Sequence, residues 1–475
     1  MNLFTDPWIP TRDGPRSLQA MTREDAPPLA APSAPAHAAL TRLLIAVRGQ
    51  GSPDPAHFNL FGDRPFLQLP PNVTASLKRQ PLSVLQLHRA SGRGPTMLGL
   101  GTDPSLDDAP RPATPAEAAT DLITFLQFTP SNGKSTWAHT LDAPLARAAC
   151  FLAEGPTLAD TLALNTPDTP PSVPPIWAQA PDWDTWRTGQ GAPLTPWTAL
   201  AFPWLTVTLD DADPALVRHT RLAGGAAPRG DLLHPEARDP HTLHVLKDST
   251  KPYDEKKNPF VTLKNPADHC AERLLATALL AALSPDAPGV ILPVGLRRAR
   301  AGTPTRRIRV TVNVTRTGQP VLLDTLEATL PWPDTDQQDA ARTALAAALH
   351  IGEQLRGALV RTYLPTTTSK RAVELAHATL AVRAYWQALW PDLTQVLAGR
   401  NAEFPDPLPV ARRLLSDHTR AALGPAAQTG ARIAHGYLKA TQVAEVAGPP
   451  LDPNDPPPAK NAPANPRKSR AKAPS

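Results

Sequence analysis

Proline is the feature that most limits this chain. It occurs 59 times in 475 residues, well over twice the usual share of about 5%. Each proline fixes φ and removes a backbone donor, so long uninterrupted helices and strands are excluded from most of the first two-thirds. Short elements joined by turns are expected there. Apolar spacing predicts a helix over 36–47, with Leu40, Leu43, Leu44 and Val47 on one face. Short strands are expected over 1–10, 205–210 and 242–246, an apolar segment over 121–128, and helical stretches over 145–152 and 267–283. The tryptophans of 167–204 (Trp177, Trp183, Trp186, Trp197, Trp204) alternate with prolines and are expected to pack in the core.

At Pro331-Trp332-Pro333 the texture changes. Thr335 and Gln338 have capping-box spacing. Behind them Leu345, Leu349, Leu355 and Leu359 form one stripe with Ala348 and Gly352. Further helical patterns run over 369–397, 409–423 and 426–446, separated by connections that contain proline or glycine. The expected fold class is α+β: a large mixed amino-terminal domain over 1–331, then an antiparallel four-helix bundle over 332–447. Residues 448–475 lack apolar content and are expected to form a disordered basic tail.

Charge is informative once divided. The formal excess is +5, and the tail holds five basic residues (Lys460, Arg467, Lys468, Arg470, Lys472) with no acid after Pro456. The rest of the chain is therefore neutral on balance, and any nucleic-acid surface on the folded body must be a local patch. Two cysteines, Cys150 and Cys270, exclude a disulfide framework and a cysteine-rich zinc site. The opening residues lack the pattern of a signal peptide, and no apolar run reaches membrane-spanning length. A soluble, cytoplasmic protein is expected.

The densest charge lies in GLRRARAGTPTRRIR (Gly295–Arg309), which holds Arg297, Arg298, Arg300, Arg306, Arg307 and Arg309 and no acid. With VILPV before it and the alternating IRVTVNV after it, the stretch reads as strand, turn, strand with a cationic tip. Arginines so crowded need an anion nearby, and phosphate suits them; a solvated basic loop is the alternative. A second basic loop, Lys247–Lys257, follows the strand TLHVL.

Catalytic chemistry finds little support. Asn132-Gly133-Lys134-Ser135 has the end of a phosphate-binding loop, but Phe128 stands where that loop needs its first glycine. His241 and His244 lie three apart without further ligands at metal spacing and read as surface histidines. No nucleophile motif, zinc-protease motif or carboxylate cluster is present. No catalytic residue, metal or cofactor is expected.

Several segments resemble one family in order. MNLFTDPWIP resembles the start of the large subunit of the type I-E CRISPR Cascade complex, the CasA family. FNLFGDRPFLQ resembles its Pro-Phe-x-Gln segment through Pro65, Phe66 and Gln68, and NGKSTWAHTLDAPL its Lys-Ser loop through Lys134 and Ser135. VGLRRARAGTPTRR resembles its Gly-aromatic-Arg hairpin, and the carboxy-terminal helices its bundle. The resemblance implies a non-catalytic subunit that works with guide RNA and the other Cascade subunits. It implies recognition of the protospacer-adjacent motif in duplex DNA, strand opening, and recruitment of a helicase–nuclease. In such systems base pairing reads most of the sequence, while protein reads a short motif and backbone shape.

The family's glycine-rich loop corresponds to 131–135 with Asn132, Gly133 and Lys134, its lysine finger to Lys247 with Lys251 beside it, and its glutamine wedge to Ala299-Arg300. A loop that meets the RNA handle falls within 97–115. Arg297, Arg298, Arg306 and Arg307 complete the expected DNA-binding set. Minor-groove reading separates A·T from G·C without fixing orientation, so several motifs should be tolerated. Arginine suits a narrow, electronegative minor groove. The alternative function is an assembly scaffold whose basic hairpin binds RNA or an acidic partner.

The tail generates the first prediction. Its five cations release counterions from any phosphate backbone regardless of sequence. Deletion of 454–475 should weaken DNA binding evenly across motifs and flatten its salt dependence, measured by titration at several salt concentrations. Altered motif preference at unchanged affinity would make the tail a reader instead.

Overall fold

In a computed structural model the described residues are 1–85, 112–129, 143–225 and 239–422, with short interior gaps of which 185–194 is the longest. In chain order the described helices of seven or more residues are α1 (Ala34–Arg48), α2 (Pro115–Phe128), α3 (Leu158–Asn165), α4 (Ala271–Leu283), α5 (Val294–Arg300), α6 (Gln338–Tyr363), α7 (Ala381–Leu397) and α8 (Leu408–Ala422). The strands are β1 (Gln80–Pro81), β2 (Cys150–Glu154), β3 (Leu205–Leu209), β4 (His219–Gly225), β5 (His244–Leu246), β6 (Phe260–Thr262), β7 (Val290–Ile291), β8 (Arg307–Arg316) and β9 (Leu322–Pro331). They form three antiparallel sheets, ordered β1-β4-β3, β2-β8-β9 and β6-β5-β7. The class is α+β.

Local chemistry explains the ends of several elements. Ser33 caps α1 by accepting from the Ala36 amide. Thr114 and Glu117 form a reciprocal capping box that starts α2 at Pro115, so the apolar 121–128 segment is the second half of a helix. A helix is expected over 145–152, but the segment instead enters β2 at Cys150, because Phe151 and its neighbours pair in register with β8. Tertiary pairing overrides the local helical spacing. The opening decapeptide is held by isolated bridges, Asn2 to Asn59 and Ile9 to Arg16, and not by a continuous strand. The box before α6 sits one residue earlier than expected, with Asp334 and Gln337 as its partners.

Sheet β2-β8-β9 divides the interior. Its side chains alternate, as the two-residue period of a strand requires. Cys150 and Leu152 enter one core with α1, α2 and β3. Phe151, Ala153, Ile308, Val310 and Leu330 enter a second core with α4 and the carboxy-terminal helices. Trp177 and Trp197 pack in or against the first core, where Phe66 stacks on Phe58 with centroids 4.9 Å apart. Gln68 is structural too: its amide donates to the Leu60 carbonyl at 2.8 Å and accepts from the Leu209 amide at 2.8 Å. Trp186 and Trp204 lie outside the described residues.

The second core runs without a break from β9 into α6, α7 and α8. Tyr385 of α7 donates to the Ala348 carbonyl of α6 at 2.7 Å, and Gly352 leaves room for its ring. Of the four expected bundle helices, three lie among the described residues. The helix expected from 369 begins at Ala381 as described, and the one expected over 426–446 lies outside.

A buried ion pair joins the amino-terminal elements. Arg42 of α1 has no exposed side-chain surface, and its guanidinium meets both oxygens of Asp239 at 2.8 and 2.6 Å. It also donates to Gln127 of α2 at 3.0 Å and to the Ala199 carbonyl at 2.8 Å. His241 accepts from it through Nδ1 at 3.3 Å and donates through Nε2 to the Asn165 carbonyl at 2.8 Å, the tautomer these contacts demand. Burial opposes the charge of Arg42, but Asp239 outweighs it and raises the pKa; burial opposes Asp239 likewise, and Arg42 lowers its pKa. Removing one member of such a pair strands the other. Arg42→Met should cost about 3–5 kcal/mol in urea unfolding, and Arg42→Met/Asp239→Asn should recover part of that loss. Two losses that simply add would contradict the coupling.

Candidate nucleic-acid interface

The arginine stretch is not a hairpin. Only Val290 and Ile291 pair as a strand, Pro293 ends it, and Val294–Arg300 coils into α5. The residues after Pro293 are mostly good helix formers, and proline at a helix start loses no hydrogen bond. Gly302, at φ +89°, turns the chain out of the helix toward β8. Gly295 fixes where α5 sits. A Cβ there would lie 2.9 Å from the Ala153 Cβ, 3.1 Å from the Ala153 nitrogen and 2.3 Å from Asn165 Oδ1, so the helix is pressed onto β2 as only glycine permits. Asn165 braces that contact by accepting from the Ala153 amide at 3.0 Å and donating to the Ala153 carbonyl at 2.7 Å.

The stretch contains no acid, yet the fold brings acids to it from elsewhere. Asp168 meets Arg297 at 2.8 Å and Arg298 at 3.2 Å, and Arg298 also donates to the Ala163 carbonyl. Glu154 of β2 pairs with Arg307, its register partner, and with Arg309; Glu327 of β9 takes the other side of Arg309. The premise that these arginines need phosphate for neutralisation fails for Arg297, Arg298, Arg307 and Arg309. Arg300 and Arg306 are exposed, and the Arg306 side chain makes no ion pair among the described residues. Within the implied wedge Ala299 is buried, at 2% exposure, which leaves Arg300 as its accessible member.

Lys247 follows β5 directly and is exposed, with its amide on the Pro259 carbonyl at 3.0 Å. Lys251 is exposed in the loop that follows. The antiparallel pairing of β5 with β7 sets Leu246, the residue before Lys247, beside Gly289, whereas α5 begins beyond residue 293. Lys247 thus neighbours the amino-terminal end of β7, while α5 with Arg300 follows its carboxy-terminal end. Asn132, Gly133 and Lys134 lie outside the described residues, as does the RNA-handle loop up to residue 111. His241 and His244 are buried, not at the surface: His241 serves the Arg42 pair, and His244 bonds Thr242 and Thr262 at 3.0 and 3.1 Å. Among the described residues no group of three or more His, Cys, Asp or Glu side chains could hold a metal, and no helix is long and apolar enough to cross a membrane.

Glu154 and Asp168 were invisible to sequence reasoning, since each lies more than a hundred residues from its arginines. Burial raises the pKa of Glu154, but the charges and hydrogen bonds of Arg309 and Arg307 outweigh it and hold the pKa below its ordinary value. His37 of α1 faces the same cluster. Burial first, then the charge of Arg309, lowers its pKa to about 4. Each of these groups has a depressed folded pKa, so its contribution is complete above the unfolded value and is lost as pH falls. Unfolding free energy should thus fall as pH drops from the histidine's ordinary 6.5 toward about 4, where His37 and His241 protonate. It should fall further as Glu154 protonates. Urea titrations across this range check it: His37→Gln should lessen the decline between those limits, and an unchanged slope would contradict the assignment.

Comparison with known proteins extends the picture. The sequence profile of a family described as CRISPR-associated protein Cse1 matches residues 52–424. The protein CasA/Cse1 of Thermus thermophilus is 32% identical over 216 residues, which make up 38% of this chain and 42% of that protein. Its solved structure superposes with a TM-score of 0.62 at 22% identity, covering 94% of this chain and 99% of that one. Cse1 from Acidimicrobium ferrooxidans gives 0.59 at 17% identity, covering 94% and 98%. A chain of a CRISPR RNA-guided surveillance complex gives 0.64 at 18% identity, covering 92% and 99%.

Proposed function

The chain belongs to the CRISPR-associated Cse1 family, and on that footing we propose that it is the large, non-catalytic subunit of an RNA-guided surveillance complex. In this reading it binds guide RNA and the other subunits, recognises a protospacer-adjacent motif in duplex DNA, promotes strand opening and recruits a helicase–nuclease. The observation that carries the reading is the family match, which spans most of the chain from residue 52 to residue 424. Lys247 and Arg300 support it from the surface. Both are exposed cations at element ends, Lys247 after β5 and Arg300 at the end of α5.

Roles follow from these surroundings. Lys247 contacts the groove of the motif duplex, with Lys251 beside it, and Arg300 acts as the wedge. Arg306 meets phosphate. Arg307 is held by Glu154 and serves the sheet. A second reading, an assembly scaffold that binds RNA or an acidic partner, is favoured by the pairing of Arg297, Arg298, Arg307 and Arg309 with carboxylates among the described residues.

The experiment is purification of the native complex with sequencing of any bound small RNA, followed by binding and strand-opening assays on matched and motif-mutated duplexes. Arg300→Ala should impair opening. Lys247→Ala should cost about 1–3 kcal/mol in discrimination between good and bad motifs. Arg306→Ala should weaken all DNA about equally. Wild-type opening and motif ranking in both of the first two variants would leave the scaffold as the better reading.

A further inference from the structure

The loop between β5 and β6 presents an aromatic surface. Tyr253 is 46% exposed, and its ring stacks on Phe260 with centroids 5.3 Å apart and planes 30° from parallel. The backbone beneath is braced. Asp254 and Asn258 exchange amide-to-carbonyl bonds of 3.2 and 2.8 Å, and Asp254 Oδ1 accepts from the Lys257 amide at 2.8 Å. The buried Asn258 side chain donates to the carbonyls of Lys251 and Pro252 at 2.9 and 3.0 Å. Tyr253 thus follows an anchored proline and is backed by a second ring. This is a rigid plane facing water, which hydrophobic burial alone does not explain.

Charge selects what would cover it. Lys247, Lys251 and Lys257 are all exposed in this loop, which has four lysines against three acids in sequence, and Asp254 beside Tyr253 is turned onto the Lys257 amide. Lysine is depleted where proteins meet proteins. A braced aromatic plane among lysines is the combination that holds single strands, because every base has a face to stack and every linkage a phosphate to neutralise. A duplex keeps its base faces covered, so the plane suits an unpaired base.

We propose that Tyr253, backed by Phe260, is a stacking platform for an unpaired base of single-stranded nucleic acid, with Lys247, Lys251 and Lys257 meeting the adjoining phosphates. This rests on the reading of Lys247 as a duplex contact: beside that residue, parted strands would offer an unpaired base.

The test uses the full chain with fluorescently labelled oligothymidylate and oligouridylate of about twelve nucleotides, within the site sizes typical of single-strand binders, and with a duplex control. Tyr253→Ala and Tyr253→Leu should weaken single-strand binding about fivefold to a hundredfold, the range for losing one base–aromatic stack. Tyr253→Phe should retain it, and duplex affinity and thermal unfolding should not change. The stronger of the DNA and RNA arms identifies the source of the strand. Wild-type affinity in Tyr253→Ala overturns the proposal, and so does wild-type affinity in Tyr253→Leu, which would reduce the platform to an apolar contact. Loss of assembly with partner subunits at unchanged single-strand affinity also overturns it, since the patch would then be a protein interface. If the Tyr253 variants behave as expected while Lys247→Ala leaves motif ranking intact, the platform stands and the motif reading falls. The converse fells the platform alone.

Discussion

A guanidinium without solvent is costly unless all its donors are met, and Arg42 meets that demand with four residues from three places in the chain. Gln127, Ala199, Asp239 and His241 converge on it, and His241 passes the contact to Asn165. The corner at Asp239–His241 then reaches outward. The Pro240 carbonyl accepts from the Val294 amide at 2.9 Å, which starts α5, and the His241 carbonyl accepts from the Phe151 amide at 2.8 Å, which holds β2. The start of β5, and so the position of Lys247, is tied to the same corner. α5 and the start of β5 are thus fixed to one buried charge.

Asn165 does a related service without charge. It bonds both backbone groups of Ala153 and stands 2.3 Å from where a Gly295 Cβ would be. A carboxamide fits there because it offers a donor and an acceptor at once. The approach of α5 to β2 therefore depends on two residues with no charge and no place in the proposed chemistry.

What was legible in the sequence follows from range. The alternation of β8 and the apolar face of α1 are local, and both form where their periods predict. The arginine stretch was misread because VILPV has the look of a strand but only two of its residues find a partner; the helix that follows answers to Pro293 and to packing of Gly295. The 145–152 segment was misread for the opposite reason, since its pairing partner lies some 150 residues downstream. Arg42 with Asp239 spans 197 residues, and no spacing rule reaches that far. Tyr253 and Phe260 are only seven apart, yet their stacking depends on a turn closed by Asn258, a residue whose burial the sequence does not announce.

The cations of the arginine stretch differ in how freely they can meet a phosphate. The Glu154 pairs lie against the sheet, with 11% exposure on the carboxylate side chain, and exchanging that partner would leave an acid stranded in a half-dry site. Asp168 is different: it and Arg297 are each about half exposed, at 46% and 50%. Exposed pairs of this kind contribute on the order of 0–1 kcal/mol. Little opposes the exchange of Asp168 for a phosphodiester, and the released carboxylate returns to water at small cost. The Asp168 pair therefore holds Arg297 far more loosely than Glu154 holds Arg307 and Arg309. Burial of the acid, and not the number of arginines, decides which of them remain available.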